Sequence, residues 1–227
     1  MTHFVISAPA VPSIPVANGG LFPVRRVYCI GRNYAAHAIE MGHDPDREAP
    51  FFFQKNPSNL DASGEFPSPS HSSDVHHEVE LLVALKSGGT NIAVDYALDT
   101  VWGYAVALDM TLRDLQGEAK KNGRPWEIGK AFERSAPVGL LIPAADVGDP
   151  SSGRVELKVN GKMQQEGDLN QMIWKVPEII SHLSKYFELQ AGDIILSGTP
   201  SGVGPVVKGD VMEAIIAGVG ELTVRVV

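Results

Sequence analysis

HHEVELLVAL, residues 76–85, makes two opposite demands on a fold. Leu81 to Leu85 form an unbroken apolar run of strand length, which reads as a strand buried on both faces. Glu78 and Glu80 lead directly into it. Side chains two apart on a strand share a face, roughly 6 to 7 Å apart at about 3.3 Å per residue, so two carboxylates aim at one point from a strand entering the core. Like charges held in that way repel, and burial adds a desolvation cost, unless a cation or a shared proton offsets both. A hard divalent metal answers that need. The plainer alternative is a strand end with both acids in water. Against it stand the neighbouring His76 and His77 and a third acid further on.

That acid is Asp109, in VWGYAVALDMTLRD. Trp102 to Leu108 is a second apolar strand candidate ending at Asp109, and residues 111–121 have helical composition. At the mouth of a buried strand Asp109 either faces the same cavity as the glutamates or caps the following helix. If it joins them, three oxygen donors without cysteine suit Mg²⁺ or Mn²⁺, or Ca²⁺ in a looser cage. Mg²⁺ keeps positions open for water or substrate, so such a set reads as catalytic.

The chain has 227 residues, enough for one large domain or two small ones, and its composition is that of an ordinary globular protein. A formal charge of −8 argues against a nucleic-acid or anionic-membrane surface. The single cysteine, Cys29, permits no internal disulfide and sits in an apolar run, as a buried small hydrophobe would. The first residues lack a basic segment and are broken by Pro9, Pro12 and Pro15, which fits neither a signal peptide nor a membrane span. No apolar run reaches about 18 residues. A cytoplasmic protein is expected.

Residues 1–23 read as an extended, proline-punctuated arm, lying on the surface or on a partner subunit, ahead of a single domain at 24–227. Val27 to Ile30 reads as a strand, and Asn33 to Met41 as a short helix with Asn33 as N-cap and Gly42 just past its end. On that helix His37 and Glu40 are three apart and share a face. A carboxylate beside an imidazole fixes its tautomer and makes it a competent base for water. On spacing alone, the pair reads more readily as an exposed ion pair of little energetic worth. GHDPDREAP, residues 42–50, is a polar loop, FFFQK a strand, and residues 56–75 a long irregular loop. Lys130, in EIGKAF, is of a kind that more often snorkels at a surface. Asn160-Gly161 marks a tight hairpin, and Pro177 to Leu189 a helix covering a sheet. SGTPSGVG, after a buried strand, lacks the GK[ST] of a phosphate loop, but its glycines let backbone N–H groups approach an anion.

The ordered motifs GRNYAAH.IEMG, FFFQK, HHEVEL, GYAVALDMTLRDLQ, PWEIGKAF and SGTPSGVGPV resemble those of the fumarylacetoacetate hydrolase family across residues 24–227. Within it they are most similar to short bacterial fumarylpyruvate hydrolases and to acylpyruvases. The resemblance implies an α+β fold, a mixed β-roll with flanking short helices, and a homodimer. It implies Mg²⁺ or Mn²⁺ held by Glu78, Glu80 and Asp109, with His37 and Glu40 on a lid helix that orders over substrate. Lys130, Gln116, Arg32 and Thr199 fall on family positions that contact the oxo and carboxylate groups of a small 2,4-dioxo acid. Many members carry Lys-Pro after the phenylalanine strand, whereas here Asn56 separates Lys55 from Pro57.

The reaction so implied is C–C bond hydrolysis of fumarylpyruvate to fumarate and pyruvate, in aromatic (gentisate) catabolism. His37, oriented by Glu40, would take a proton from water, with the metal and Lys130 stabilising the departing enolate. Decarboxylating oxaloacetate or isomerising an unsaturated heptadienedioate would use the same metal without an attacking water. A non-catalytic protein with a structural ion would instead saturate that ion with protein ligands.

Overall fold

The computed structural model describes residues 5–41, 49–148 and 150–227. The polar loop at 42–50 and the expected helix stop at Gly42 therefore lie wholly or largely outside the described residues.

The apolar run of the opening motif becomes the strand Val79–Leu85, every residue of it buried. It pairs antiparallel with Val101–Leu108 on one side and Asp193–Leu196 on the other. Arg26–Gly31 adds to Asp193–Leu196 in parallel, and Phe51–Lys55 and Ile142–Pro143 complete a six-stranded mixed sheet. A second sheet of five strands holds Lys162–Asp168, Arg154–Val159, Val211–Ile216, Gly220–Val226 and Glu65–Phe66. Its first two strands are joined through Asn160 and Gly161 at φ of 52° and 75°, the left-handed pair that a two-residue hairpin demands.

Both faces of the Val79–Leu85 strand are covered, which is why it reads as continuous rather than alternating hydrophobicity. Val79, Leu81, Val83 and Leu85 enter the larger core with Val106, Leu157 and Ile216. Leu82 and Ala84 point the other way, with Ala105, Ala107, Cys29 and Leu196, into a smaller core. Ile14 and Phe22 reach that second core from the hairpin Ser13–Pro15 and Leu21–Pro23, where Phe22 packs on Trp102 at 5.6 Å. No described helix is long and apolar enough to cross a membrane.

Several local expectations are corrected. The first helix spans Ala35–Glu40 without a side-chain cap. Asn33 binds across the fold instead: its Nδ2 donates to the Trp174 and Ser197 carbonyls, and its Oδ1 accepts from the Trp174 N–H. Three tertiary hydrogen bonds, made by a side chain that is itself buried, outcompete one cap. Thr111 and Leu112 pair with His76 and Val75 as strand, so the helix begins at Arg113 and runs to Lys121. That start is too late for Asp109 to cap it. The helix after Lys175 is Val176–Leu183, shorter than its apolar periodicity suggests, and the chain turns after Ser184.

Candidate active site

The register of the central sheet assembles the three acids. Glu80 lies opposite Ala107, and the Asp109 N–H donates to the Glu78 carbonyl at 2.8 Å, bringing Asp109 level with Glu78. Glu78, Glu80 and Asp109 continue the face bearing Leu82, Ala84, Ala105 and Ala107, so the smaller core ends in carboxylates. One oxygen from each lies within 4.8 Å of the others, and all three residues are buried.

Their neighbours supply positive charge unevenly. Glu78 accepts from Arg113 on one oxygen and from Lys130 on the other, the latter at 2.8 Å. Burial opposes ionisation, but the Lys130 and Arg113 charges outweigh it and hold the Glu78 carboxyl far below the usual carboxylate range. Lys130 is buried rather than snorkelling. Its three protons go to Glu78, to Asp109 Oδ2 at 2.7 Å and to Thr111 Oγ1 at 2.7 Å. Burial works against that ammonium too, yet Asp109 and Glu78 push it up to about 12. Glu80 receives the Gly198 N–H at 2.8 Å. Burial, with the Asp109 and Glu78 charges beside it, drives its carboxyl well above the ordinary range.

Among the described residues Glu80 is the acid of the three that no cation touches, so a further positive charge is what would keep it ionised beside the other two. Asp109 Oδ1 is short of hydrogen bonds, not of charge. Lys55 Nζ stands 2.8 Å away, but its hydrogen bonds run to the Met110 carbonyl, the Lys130 carbonyl and Ser135 Oγ, leaving that oxygen in ionic contact without a hydrogen bond. A buried, unbonded carboxylate oxygen in an all-oxygen set fits a hard divalent ion. The residues present fit the expected metal.

His37 lines the same cleft, its Nδ1 2.9 Å from Glu40 Oε2, while Glu40 Oε1 accepts the Gly202 N–H at 2.9 Å. Arg32, Gln116 and Thr199 line the cleft as well. Arg32 adopts a left-handed φ of 57° at the end of its strand, and its guanidinium lies 5.3 Å from the Phe51 ring centre. Gly31 is required beside it, since a Cβ there would come within 2.1 Å of the Phe51 ring. Gln116 accepts from Arg113 at 2.9 Å, so its amide is oriented by the residue that also holds Glu78.

Gln165 is a residue behind the cleft that the sequence does not disclose, since nothing in its alternating strand marks it. It is fully buried. The Val79 N–H is only a donor and the Pro200 carbonyl only an acceptor, so the two together fix the orientation of the Gln165 amide. Its Nε2 must then donate to Thr199 Oγ1, at 2.8 Å. With that lone pair engaged, the Thr199 hydroxyl still has its proton to donate to a group in the cleft it lines. His77 Nδ1 meets Gln165 Oε1 at 3.0 Å and must carry the proton there. Lys55 also matters more than its sequence context suggests. It does not line the cleft but ties Asp109 to the segment that carries Lys130.

Buried carboxylates at strand ends that could hold a metal ion, opening on a cleft lined by a histidine paired with a carboxylate, are the arrangement of a metal-dependent enzyme. The family described as fumarylacetoacetate (FAA) hydrolase C-terminal matches residues 26–227. A fumarylpyruvate hydrolase from Pseudomonas aeruginosa, solved with Mn²⁺ and pyruvate, is 49% identical, with a TM-score of 0.97 over 99% of both chains. An oxaloacetate tautomerase of Escherichia coli is 42% identical over 90% of this chain and 94% of its own length. A mitochondrial oxaloacetate decarboxylase of Dictyostelium discoideum is 42% identical over 86% of this chain and 89% of its own. The chain belongs to the fumarylacetoacetate hydrolase family, as an enzyme whose carboxylate triad can bind a metal ion.

Proposed function

We propose that the protein hydrolyses the C–C bond of a 2,4-dioxo acid, converting fumarylpyruvate and water to fumarate and pyruvate, with Mg²⁺ or Mn²⁺ at Glu78, Glu80 and Asp109. The observation that carries this reading is the His37–Glu40 pair, held at 2.9 Å in the same cleft as the three acids. Hydrolysis uses such a base to take a proton from water, enolisation would use it on a C3 proton instead, and decarboxylation needs none.

When bound, the ion supplies Lewis-acid polarisation of the 2-oxo acid end. The chain's own groups do the rest. Glu40 accepts from Nδ1 and leaves Nε2 of His37 to take a proton from water as its oxygen adds to the 4-carbonyl. The C3–C4 bond then breaks. Its electron pair moves to C3 and is delocalised onto the 2-oxo oxygen, beside the positive charge of Lys130. The acyl carbon leaves as the fumarate carboxyl, and C3 takes up a proton to give pyruvate. Arg32, Gln116 and the Thr199 hydroxyl hold the substrate's carboxylate and oxo oxygens in line.

A second reading is favoured by the two oxaloacetate-active relatives, which extend over most of this chain. On it the same acids and Lys130 support enolisation of oxaloacetate, and no water adds.

Comparing kcat/KM for fumarylpyruvate, acetylpyruvate and oxaloacetate, in wild type and in His37→Ala, separates the two. Hydrolysis requires fumarylpyruvate to lead the panel and His37→Ala to lose about 10²–10⁴-fold on it, with Mn²⁺ binding intact. Unchanged cleavage in that variant refutes His37 as the base. Oxaloacetate leading the panel selects the second reading.

A further inference from the structure

Four cations line the cleft: Arg32, Arg113, Lys120 and Lys130. Among the described residues that line it, the opposing charges are Glu78, Glu80 and Asp109, before a divalent ion adds two more positive charges. In a chain of formal charge −8 this is a local reversal of sign, and such a cleft concentrates anions.

Two of the four cations are taken. Arg113 is bound to Glu78, and Lys130 to Glu78 and Asp109. The other two have no carboxylate partner among the described residues and rest on aromatic faces instead. Lys120 Nζ stands 4.8 Å from the Trp126 ring centre and the Arg32 guanidinium 5.3 Å from that of Phe51. The two rings pack edge to face at 5.2 Å, so the cations share one wall. Both cations are partly exposed whereas the three acids are buried, which places this wall nearer the mouth. Aromatic faces hold a cation in position while leaving its protons unused. Lys120 shows what such a site lacks: burial, then the Arg113 and Lys130 charges, lower its ammonium to about 8.

We propose that Lys120, with Arg32, forms a subsite for a second, distal carboxylate, so that the enzyme selects 2-oxo acids that are dianions over those ending in an alkyl group. This rests on the hydrolytic reading only for the name of the substrate, because the subsite is built from the protein's own charges. A 2-oxo acid with one carboxylate leaves the two mouth cations unanswered. A dioate of fumarylpyruvate's seven-carbon length offers an anion at the far end.

Binding without turnover tests it. Mn²⁺-loaded protein is titrated calorimetrically with 2-oxoheptanedioate and with 2-oxoheptanoate, which match in length and carry no 4-carbonyl to cleave. Wild type is expected to favour the dioate by about ten-fold or more, the size of one charge-assisted hydrogen bond. Lys120→Met should bring the ratio to near one, and Lys120→Arg should keep it within about three-fold of wild type. A wild-type ratio near one, or an undiminished ratio in Lys120→Met, overturns the proposal. Should fumarylpyruvate fail as a substrate while the ratios behave as expected, the subsite stands and the hydrolytic reading falls.

Discussion

At the floor of the cleft Glu78 and Asp109 are answered by Arg113, Lys130 and Lys55; at the mouth, Lys120 and Arg32 are answered, among the described residues, by aromatic rings. The floor is built on adjacent strands of the central sheet, where register decides which side chains meet, and it is buried. The mouth is built on the end of a strand, the last turn of a helix and the faces of Phe51 and Trp126. Their charges thus differ in purpose. Floor charges hold one another and cannot be removed singly without leaving an uncompensated ion in the core. Mouth charges make no ion pair among the described residues, which on the proposal above leaves their protons to read a ligand.

The strongest way to break this contrast is at Asp109. Asp109→Ala leaves the buried ammonium groups of Lys55 and Lys130 short of a partner and should cost about 3–5 kcal/mol of stability, seen as a lower urea midpoint. Asp109→Asn keeps the shape and separates the two roles. It should stay nearer wild type in stability while Mn²⁺ affinity, measured by titration, and turnover both fall to background. An Asn variant that still binds Mn²⁺ tightly would show that the ion does not use this triad.

What the sequence disclosed follows the same division. Glu78 and Glu80 could be read as converging because strand periodicity is strictly two, and Asp109 could be set at the mouth of the next strand by the length of its apolar run. The spacing of His37 and Glu40 likewise follows from helix geometry alone. Fold class and family were legible through the order of the motifs. What stayed hidden depends on contacts between distant segments. Asn33 looked like a helix cap because its partners at Trp174 and Ser197 belong to another part of the chain. Lys130, read from its flanking residues, looked like a surface residue because its three acceptors arrive from two other segments, one at Glu78 and one at Asp109 and Thr111. Lys120, beside Lys121 on a polar helix, carries no mark in the sequence of the Trp126 ring that the fold places against it.

Gln165 offers a sharper and smaller test, because it belongs to the second sheet yet sets a hydrogen-bond direction in the cleft. Gln165→Leu strands the Val79 N–H and the Pro200 carbonyl, each worth about 1–3 kcal/mol when buried and unpaired. Gln165→Glu, when ionised, still accepts from Val79 but cannot donate to Thr199. The Thr199 hydroxyl then turns to donate into the introduced carboxylate and presents a lone pair to the bound anion. Pyruvate affinity should fall several-fold in Gln165→Glu, and adding Thr199→Val should cost little more. Fully additive losses in that double-mutant cycle would mean that Thr199 contacts the ligand independently of Gln165.

The smallest expected effect lies at the mouth and concerns pH. Lys120 is held down to about 8 chiefly by burial, with Arg113, Lys130 and Arg32 lowering it further and Glu78 opposing them. Below that pH the free protein presents an ammonium; above it the amine is neutral and the subsite loses half its charge. A bound carboxylate favours the charged form, so binding takes up a proton once the free amine has begun to titrate. The preference for 2-oxoheptanedioate over 2-oxoheptanoate should therefore be flat below about pH 8 and fall by several-fold toward about pH 9.5. The ratio of the two ligands cancels any titration at the metal site that both experience. Lys120→Arg should hold its ratio across that range, since a guanidinium stays charged. A wild-type preference that does not move through about pH 9 would assign the distal carboxylate to Arg32 alone and leave Lys120 as a helix residue covering Trp126.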